Sequence, residues 1–369
     1  MIITHIFSNI DIIDPRFGGS RVINEQVRFL KRKRVDVKVL SLENIGSLAS
    51  IYYKFLNQLR RKKPAIMVKK SNVLFKIFHW YITVVTLLLG EIITQFDIFF
   101  KHKLKRLLKK MSPSVIFHHT PFGCIPFIRI TQSLRIPLVV VSHNIECIFF
   151  LQINPYTRKI PLAKKLLNII GRIEFSCYKR ATHVIFLSSI DRKLAVNLGV
   201  PREKTSSLVP IDINRKHSIR KEQTIPSEKK KLQVGFVGSE SYANVLTVMY
   251  LCKLAKKLPP NIEFMIFGSV AEVFKSVKIP QNVILKGYVK DLYKDLATCD
   301  VFINNKFLPN TGIEAKMLDY IVFNKPIITT PRGARGFRRF KNVIVVNSLK
   351  EIEKLLLDLY ARKVESKNK

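Results

Sequence analysis

The feature that most constrains this chain is the run FLPNTGIEAKMLDYIVFNKPIITTPRGARG, Phe307 to Gly336. Strand-like residues, Val301 to Ile303, precede it. A turn with Pro309, Asn310 and Gly312 follows, then a helix-length stretch. After Asn324, Lys325 and Pro326 comes a second strand-like segment, Ile327 to Thr330. Strand, polar turn, helix and strand make a βαβ unit, and ligands bind where such turns meet helix N-termini. Lys316 and Asp319, three residues apart, fall on one face of the expected helix near its first turns. An ordinary crossover with solvated charges has the same pattern, so the rest of the chain decides between the two.

The same rhythm recurs on both sides of a polar break. Ile2 to Ile10 reads as a strand, and the loop after it ends in Phe17-Gly18-Gly19-Ser20. Arg21 to Lys33 carries a helical apolar stripe, and Val35 to Ser41 alternates as a strand. The paired glycines mark either a close backbone approach or a plain turn. From Ser114 the rhythm resumes, with strands at Val115–His118 and Pro137–Val141. The second of these runs into Ser142-His143-Asn144-Ile145-Glu146, polar residues at a strand's C-terminal end, where α/β sheets build their sites. A helix around Leu162–Arg180, a strand Val184–Leu187, a helix capped by Ser188, and a last strand Ser207–Pro210 complete this half.

Residues 213–231 are polar, charged and without apolar periodicity, the pattern of a linker. A fresh series begins at Leu232–Val237, with a Gly238-Ser239 turn, a helix Asn244–Lys257, a strand Glu263–Phe267 and a Gly268 turn. A helix Ala271–Val277, a strand Val283–Leu285, a helix Lys290–Ala297 and a strand Asp300–Ile303 lead back to the run described first, and a helix Leu349–Arg362 closes the chain. The expected fold class is α/β, with two Rossmann-like domains facing each other across a cleft. They span residues 1–212 and 232–369, a division that 369 residues accommodate.

Residues 43–113 interrupt the pattern. Val73 to Phe100 is strongly apolar, yet its longest stretch without Asp, Glu, Lys or Arg is Ile77–Gly90, fourteen residues. A membrane-spanning helix needs about 20. A buried helix pair and a membrane-surface helix both fit. The adjoining KHKLKRLLKK, Lys101–Lys110, sets six basic residues around three leucines, which favours an anionic bilayer surface. The whole chain agrees with a polyanionic partner: 64 Lys and Arg against 26 Asp and Glu leave a net charge of +38. Nucleic acid, anionic lipid and phosphorylated substrates all answer to such a field. The apolar start, Met1–Ile13, lacks a basic segment and contains Asp11, so it reads as a strand and not a signal peptide. Five scattered cysteines form no C-x-x-C pair, in keeping with a reducing compartment and with neither a zinc site nor a disulfide framework.

Several chemistries drop out. The chain has no G-x-x-x-x-G-K-[ST] phosphate loop, no G-x-G-x-x-G, no G-x-S-x-G elbow and no H-E-x-x-H. Aromatic residues interleaved with basic ones in the RNA-recognition pattern are missing too. An α/β enzyme that handles a phosphorylated small molecule survives.

The surviving motifs line up in order with a family. Gly18-Gly19 before an amphipathic helix, His143-Asn144-Ile145-Glu146, Val209-Pro210-Ile211-Asp212 and Phe236-Val237-Gly238-Ser239 with Asn244 form the first part. Gly268, then Gly287-Tyr288-Val289 with Asp300, and the 307–336 run complete it. Over almost its whole length the chain resembles the GT-B-fold glycosyltransferases of the family 4 type (glycosyl transferases group 1). That resemblance implies a retaining transfer of sugar from a nucleotide-diphosphate donor to a glycan or lipid-linked acceptor, in cell-surface polysaccharide or glycoconjugate synthesis. It implies no metal and no separate cofactor. The expected location is cytoplasmic, peripheral on the inner face of the cell membrane, with residues 73–110 toward the bilayer and no nucleic acid as partner.

By the same resemblance His143, Lys316 and Asp319 are the catalytic set. Gly18, Gly19, Gly238, Ser239, Asn244, Gly268, Thr311, Gly312, Ile313 and Asp319 bind the donor. A helix N-terminus at Thr311-Gly312, reinforced by Lys316, would stabilise the leaving diphosphate. Asp319 would accept from the ribose hydroxyls, and His143 would face the donor sugar across the cleft. The departures are also specific. The family's Glu-x7-Glu pair falls on Thr311 and Asp319, Glu240 and Tyr242 replace the usual basic pair, and Asn324 stands for a glycine. Lys316 with Arg332 or Arg335 is then the source of phosphate-binding charge. Two alternatives remain at this stage, a catalytically reduced homologue acting as a partner subunit and a basic nucleic-acid-binding protein.

Overall fold

A computed structural model of the chain describes residues 3–8, 18–52, 54, 73–153, 157, 159–209, 231–308 and 311–365. Apart from Lys231, the linker expected at 213–231 lies outside them, as do Pro210, Ile211 and Asp212. The described residues divide into two compact units. The first takes in those up to 209 together with 311–313, and the second 231–308 and 314–365.

The first unit runs β1 (Ile3–Ser8), α1 (Gly18–Arg32), β2 (Asp36–Ser41), α2 (Val73–Phe96), α3 (Ile98–Met111) and β3 (Val115–His119). Then follow α4 (Ile125–Ser133), β4 (Leu138–Ser142), α5 (Glu146–Ile153), α6 (Pro161–Arg180), β5 (His183–Phe186), α7 (Ser189–Asn197) and β6 (Thr205–Ser207). Its six strands are parallel in the order β2-β1-β3-β4-β5-β6. A strand such as Leu138–Val141 is apolar at consecutive positions because helices cover both faces of such a sheet. The order reverses between β1 and β3, which sets the C-terminal ends of β1, β3 and β4 at a topological switch point. The last strand comes earlier than the Ser207–Pro210 expected from sequence, because its register with β5 begins at Thr205 opposite Val184.

The apolar block is one long helix, α2, that turns by 70° into α3. Among the described residues no single helix is long and apolar enough to cross a membrane, although this bent pair has the length and composition together. One face of α2 is core: Trp80, Val84, Leu87 and Leu88 pack with Phe122, Phe150, Leu167 and Ile170. The Trp80 indole donates to the carbonyl of Phe150 at 2.8 Å. The opposite face, with Ile82, Val85, Leu89, Ile92 and Phe96, is exposed, so the helix is not buried all round as one of a core pair would be.

The second unit runs β7 (Leu232–Val237), α8 (Tyr242–Ala255), β8 (Ile262–Phe267), β9 (Val283–Gly287), α9 (Leu292–Thr298), β10 (Val301–Asn304) and α10 (Lys316–Tyr320). It ends with β11 (Ile327–Thr329), β12 (Val343–Val345) and α11 (Leu349–Glu365). This sheet is also parallel, in the order β12-β11-β10-β7-β8-β9, with its switch point between β7 and β10. Its core gathers Val234, Phe236, Leu251, Phe264, Ile266 and Ile303 under Ile352 and Leu356 of α11.

Two expectations in this half are corrected. The helix read at Ala271–Val277 is a short 3-10 segment, Ser269–Phe274. The helix after the 307–312 turn starts only at Lys316 and lasts five residues before a 3-10 turn, Ile321–Phe323. Gly312, at φ +72°, is left-handed backbone that a right-handed helix cannot contain, so the helix cannot begin before Ile313.

Candidate active site

The second unit gathers Gly238, Ser239, Asn244, Gly268, Lys316 and Asp319 around its switch point. At the end of β7 the chain turns through Gly238 and Ser239, and Asn244 lies in the first turn of α8. The Asn244 amide donates to the carbonyl of Ser239 at 3.0 Å and to its hydroxyl at 3.2 Å. Its oxygen accepts from the ammonium of Lys316 at 2.7 Å. Lys316 also sits 4.2 Å from the centroid of the Phe236 ring. A cation buried to 8% exposure is thus held by an amide dipole and a π-face. The helices following β7 and β10 are joined there through one charge.

Glycine is needed here for close approach. A Cβ on Gly268, at the end of β8, would overlap the carbonyl oxygen of Gly238, and Gly268 has φ +88°. Backbone bonds tie the same turns, Gly238 N–H to Phe267 O at 2.9 Å and Gly268 N–H to Gly287 O at 2.7 Å.

Asp319 is 4% exposed and accepts from the Tyr293 hydroxyl at 2.8 Å. Next to it Tyr320 stacks on Phe302, with ring centroids 4.6 Å apart, and accepts from the Val237 N–H at 2.7 Å. One side of the five-residue helix is therefore pinned to β7 and β10. Lys306 pairs with Glu314 at 2.9 Å. Arg332 donates to the carbonyl of Phe307.

The helix-terminus role assigned to Thr311-Gly312 does not hold. Three residues separate Gly312 from the start of α10, and Ala315 at that start makes no side-chain cap. The positive charge in this place is the Lys316 ammonium and not a helix dipole. Residues 311–313 group with the first unit. There the Gly312 N–H donates to the carboxylate of Asp191 at 2.8 Å, and a Cβ on Gly312 would overlap the carbonyl oxygen of His143. Thr311 is buried, with no partner for its hydroxyl among the described residues.

In the first unit His143 follows β4 and is buried. Its Nε2 lies 2.7 Å from Nδ1 of His119, the last residue of β3, with the rings edge to face. His118 lies beside them, its Nδ1 3.0 Å from the carbonyl oxygen of Thr120. Burial pushes His118 and His143 down to about 4, and His119 well below its ordinary value. All three are neutral imidazoles near pH 7. Below them, Glu174 caps α5 by accepting from the N–H groups of Glu146 and Cys147 at 2.7 and 3.0 Å, and Tyr178 donates to it at 2.8 Å. Burial raises the Glu174 pKa against these bonds.

Gly18 and Gly19 open α1. The described structure thus joins Gly238, Ser239, Asn244, Gly268 and Lys316 in one cluster, with Asp319 on the helix that carries Lys316. His143, Gly312 and the unanticipated Asp191 and His119 form another, beside Thr311 and Ile313. Asp191 had a local signal, since Ser188 three residues before it accepts from its N–H at 3.1 Å in the manner of a capping box.

Comparison with known proteins agrees with the two-unit α/β fold. Residues 18–208 match the profile of Glycosyltransferase Family 4, and residues 231–362 that of Glycosyl transferases group 1. No curated protein matches the chain in a sequence search. Among solved structures, Anabaena HepE in complex with UDP is similar at 15% identity and a TM-score of 0.59, over 99% of this chain and 92% of that one. The catalytic domain of starch synthase IV from Arabidopsis thaliana, bound to ADP and acarbose, is similar at 11% identity and a TM-score of 0.58, over 98% and 92%. The lipopolysaccharide outer core galactosyltransferase WaaB is similar at 12% identity and a TM-score of 0.51, over 99% and 91%.

Proposed function

Because the chain belongs to Glycosyltransferase Family 4, we propose that it moves a sugar from a nucleotide-diphosphate donor to a glycan or lipid-linked acceptor, with retention at the anomeric carbon. The observation that carries this reading is Lys316, a buried cation held at the switch point of the second sheet by Asn244 and Phe236. Cleaving the sugar–phosphate bond leaves growing negative charge on the diphosphate, and a fixed cation in a dry site stabilises it strongly. The ammonium has three donors, so it can hold Asn244 and still reach a phosphate oxygen. This role needs no metal ion. Asp319, oriented by Tyr293, accepts from the ribose hydroxyls, and the Gly238-Ser239 turn gives the nucleotide a close backbone wall. His143, uncharged because it is buried, orients the sugar or supports oxocarbenium charge without adding a competing cation. HepE carries UDP and UDP-glucose on the same fold, which supports a nucleotide sugar as the donor.

The acceptor is met at the inner face of the cell membrane, where the basic residues of α3 contact anionic lipid. Purified protein supplied with nucleotide sugars is expected to release nucleoside diphosphate. Lys316→Ala and Asp319→Ala are each expected to abolish that release while the fold persists. Full activity in both variants would overturn the assignment. Thr311, standing where the family has a carboxylate, favours one second reading, a homologue that binds no donor and serves a partner enzyme. Titration calorimetry with UDP, GDP and ADP separates the two, since absence of binding to all three selects the second.

A further inference from the structure

The exposed face of α2 is apolar from Ile82 to Phe96. Ile82, Val85, Leu89, Ile92 and Phe96 recur at steps of three and four, opposite the face that Trp80, Val84 and Leu88 bury. From Trp80 to Phe96 the single charged side chain is Glu91. It is 1% exposed and bonded to the Gly123 N–H and the Gln95 amide. A helix apolar all round has no stable place at a water boundary.

At the end of this stripe the chain turns 70° at Asp97. Asp97 accepts from the Phe100 N–H at 2.8 Å, capping α3, and from the Ala49 N–H at 2.9 Å. That second bond draws the helical residues 48–52 against the corner. The result is a fixed projection of large apolar side chains: Phe96, Ile98 and Phe99 at 76%, 74% and 73% exposure, with Leu48 and Ile51 at 67% and 66%. Beyond it His102, Lys103, Lys105, Arg106, Lys109 and Lys110 line the exposed part of α3. The acidic residues of the two helices and the corner between them, Glu91 and Asp97, are both buried.

We propose that this corner is a membrane wedge: Phe96, Ile98, Phe99, Leu48 and Ile51 enter the acyl boundary of an anionic bilayer while the lysines of α3 rest among its headgroups. The proposal deepens the peripheral location stated above, and replaces attraction by charge alone with insertion. A bilayer suits this surface because the apolar patch is bordered by cations and by no exposed carboxylate on either helix. A phospholipid interface offers the matching pair, hydrocarbon below and phosphate above. Screening by salt weakens the charge contacts and leaves the apolar ones.

The test is flotation of the full chain with vesicles of equal parts phosphatidylglycerol and phosphatidylcholine. It contains no sugar donor, so its result is independent of whether the enzyme assignment stands. Binding is expected to weaken but persist between about 0.15 and about 1 M NaCl. The triple variant Phe96→Ser, Ile98→Ser, Phe99→Ser is expected to lose roughly tenfold or more in affinity at unchanged melting temperature. Leu48→Ser with Ile51→Ser, on a separate element, should weaken binding in the same direction. The Phe99→Trp variant should show a blue-shifted indole emission on adding vesicles, against the constant background of the lone buried Trp80. Complete release of the wild type at high salt, wild-type binding by both sets of serine variants, or an unshifted emission from vesicle-bound Phe99→Trp protein would each overturn insertion. So would light scattering that shows a wild-type dimer dissociated by the serine substitutions, which would make the corner a contact between copies of the chain.

Discussion

His118, His119 and His143 lie where two adjacent strands end, and their burial sets both their chemistry and a cost. A neutral imidazole is useful beside a sugar that is acquiring positive charge, yet protonation is opposed in the folded state and free in the unfolded one. The sign follows from the depressed values: the unfolded chain binds more protons as pH falls below about 6.5, so each histidine's contribution is lost in that direction, by up to about 1.4 kcal/mol per pH unit. Glu91 and Glu174, raised by burial, act with the opposite sign, so the difference between wild type and His118→Gln isolates the effect. Between pH 6.5 and 5, urea titrations are expected to show wild type losing ground to the variant by about 1 kcal/mol per unit. A difference independent of pH would refute a buried neutral His118. His143 is legible in the sequence from its place after an apolar strand. His119 is not, because its role depends on β3 lying beside β4 in the register His119 to Val141, a fact of pairing and not of local pattern. Gly268 is legible as a turn, but its packing is not: a Cβ there would overlap the Gly238 carbonyl of a different turn, and its φ is +88°. Gly268→Ala should therefore cost about 2 kcal/mol or more, measured as a lower urea midpoint with an unchanged slope. A neutral effect would contradict that packing.

Among the elements, strands are more legible in the sequence than the pieces between them. Buried parallel strands advertise themselves as apolar runs, and Leu232–Val237 has the bounds its pattern predicts. The helix after β10 is shorter than its pattern suggests, because its end tightens into the 3-10 turn Ile321–Phe323 and Asn324 leaves it in left-handed backbone, φ +56°. Strand β12 does carry a signal, the β-branched run Val343–Val346, but a run of four is too short for period alone to separate from a loop. Shortness has an energetic consequence. Five residues cannot hold a helix by their own hydrogen bonds, so α10 depends on side chains that anchor it. Tyr320 is the main anchor, joining the Val237 N–H to the helix and stacking on Phe302. Tyr320→Phe keeps the ring and removes the hydroxyl, leaving the buried Val237 N–H without that partner. The expected destabilisation is about 1–3 kcal/mol. Since Lys316 and Asp319 ride on the same helix, donor affinity should fall in the same variant, read by calorimetry. A variant as stable as wild type would show that the helix is held by something else.

At the scale of the whole molecule, the dominant fact is a net charge of +38. Most of these cations are unmatched, since 26 acidic residues cannot pair with 64 basic ones, and several of the acidic groups are buried in capping bonds. Self-repulsion of that size favours the expanded chain. Added salt relieves it over distances longer than the Debye length, about 10 Å at 0.1 M and about 8 Å at 0.15 M. Contacts inside the cores and the buried Lys316–Asn244 bond are shorter than this and are left alone. The melting temperature is therefore expected to rise by several degrees from about 20 to about 200 mM NaCl and then level off. KCl should reproduce the curve, because screening depends on ionic strength and not on the cation. Sulfate at equal ionic strength should add a general increment by exclusion from the surface and a further one where oxyanions find a clustered site, so a smaller increment in Lys316→Ala than in wild type is a check on the proposed diphosphate site without any nucleotide. A melting temperature that stays flat or falls with NaCl would mean that the cations are already compensated within the fold.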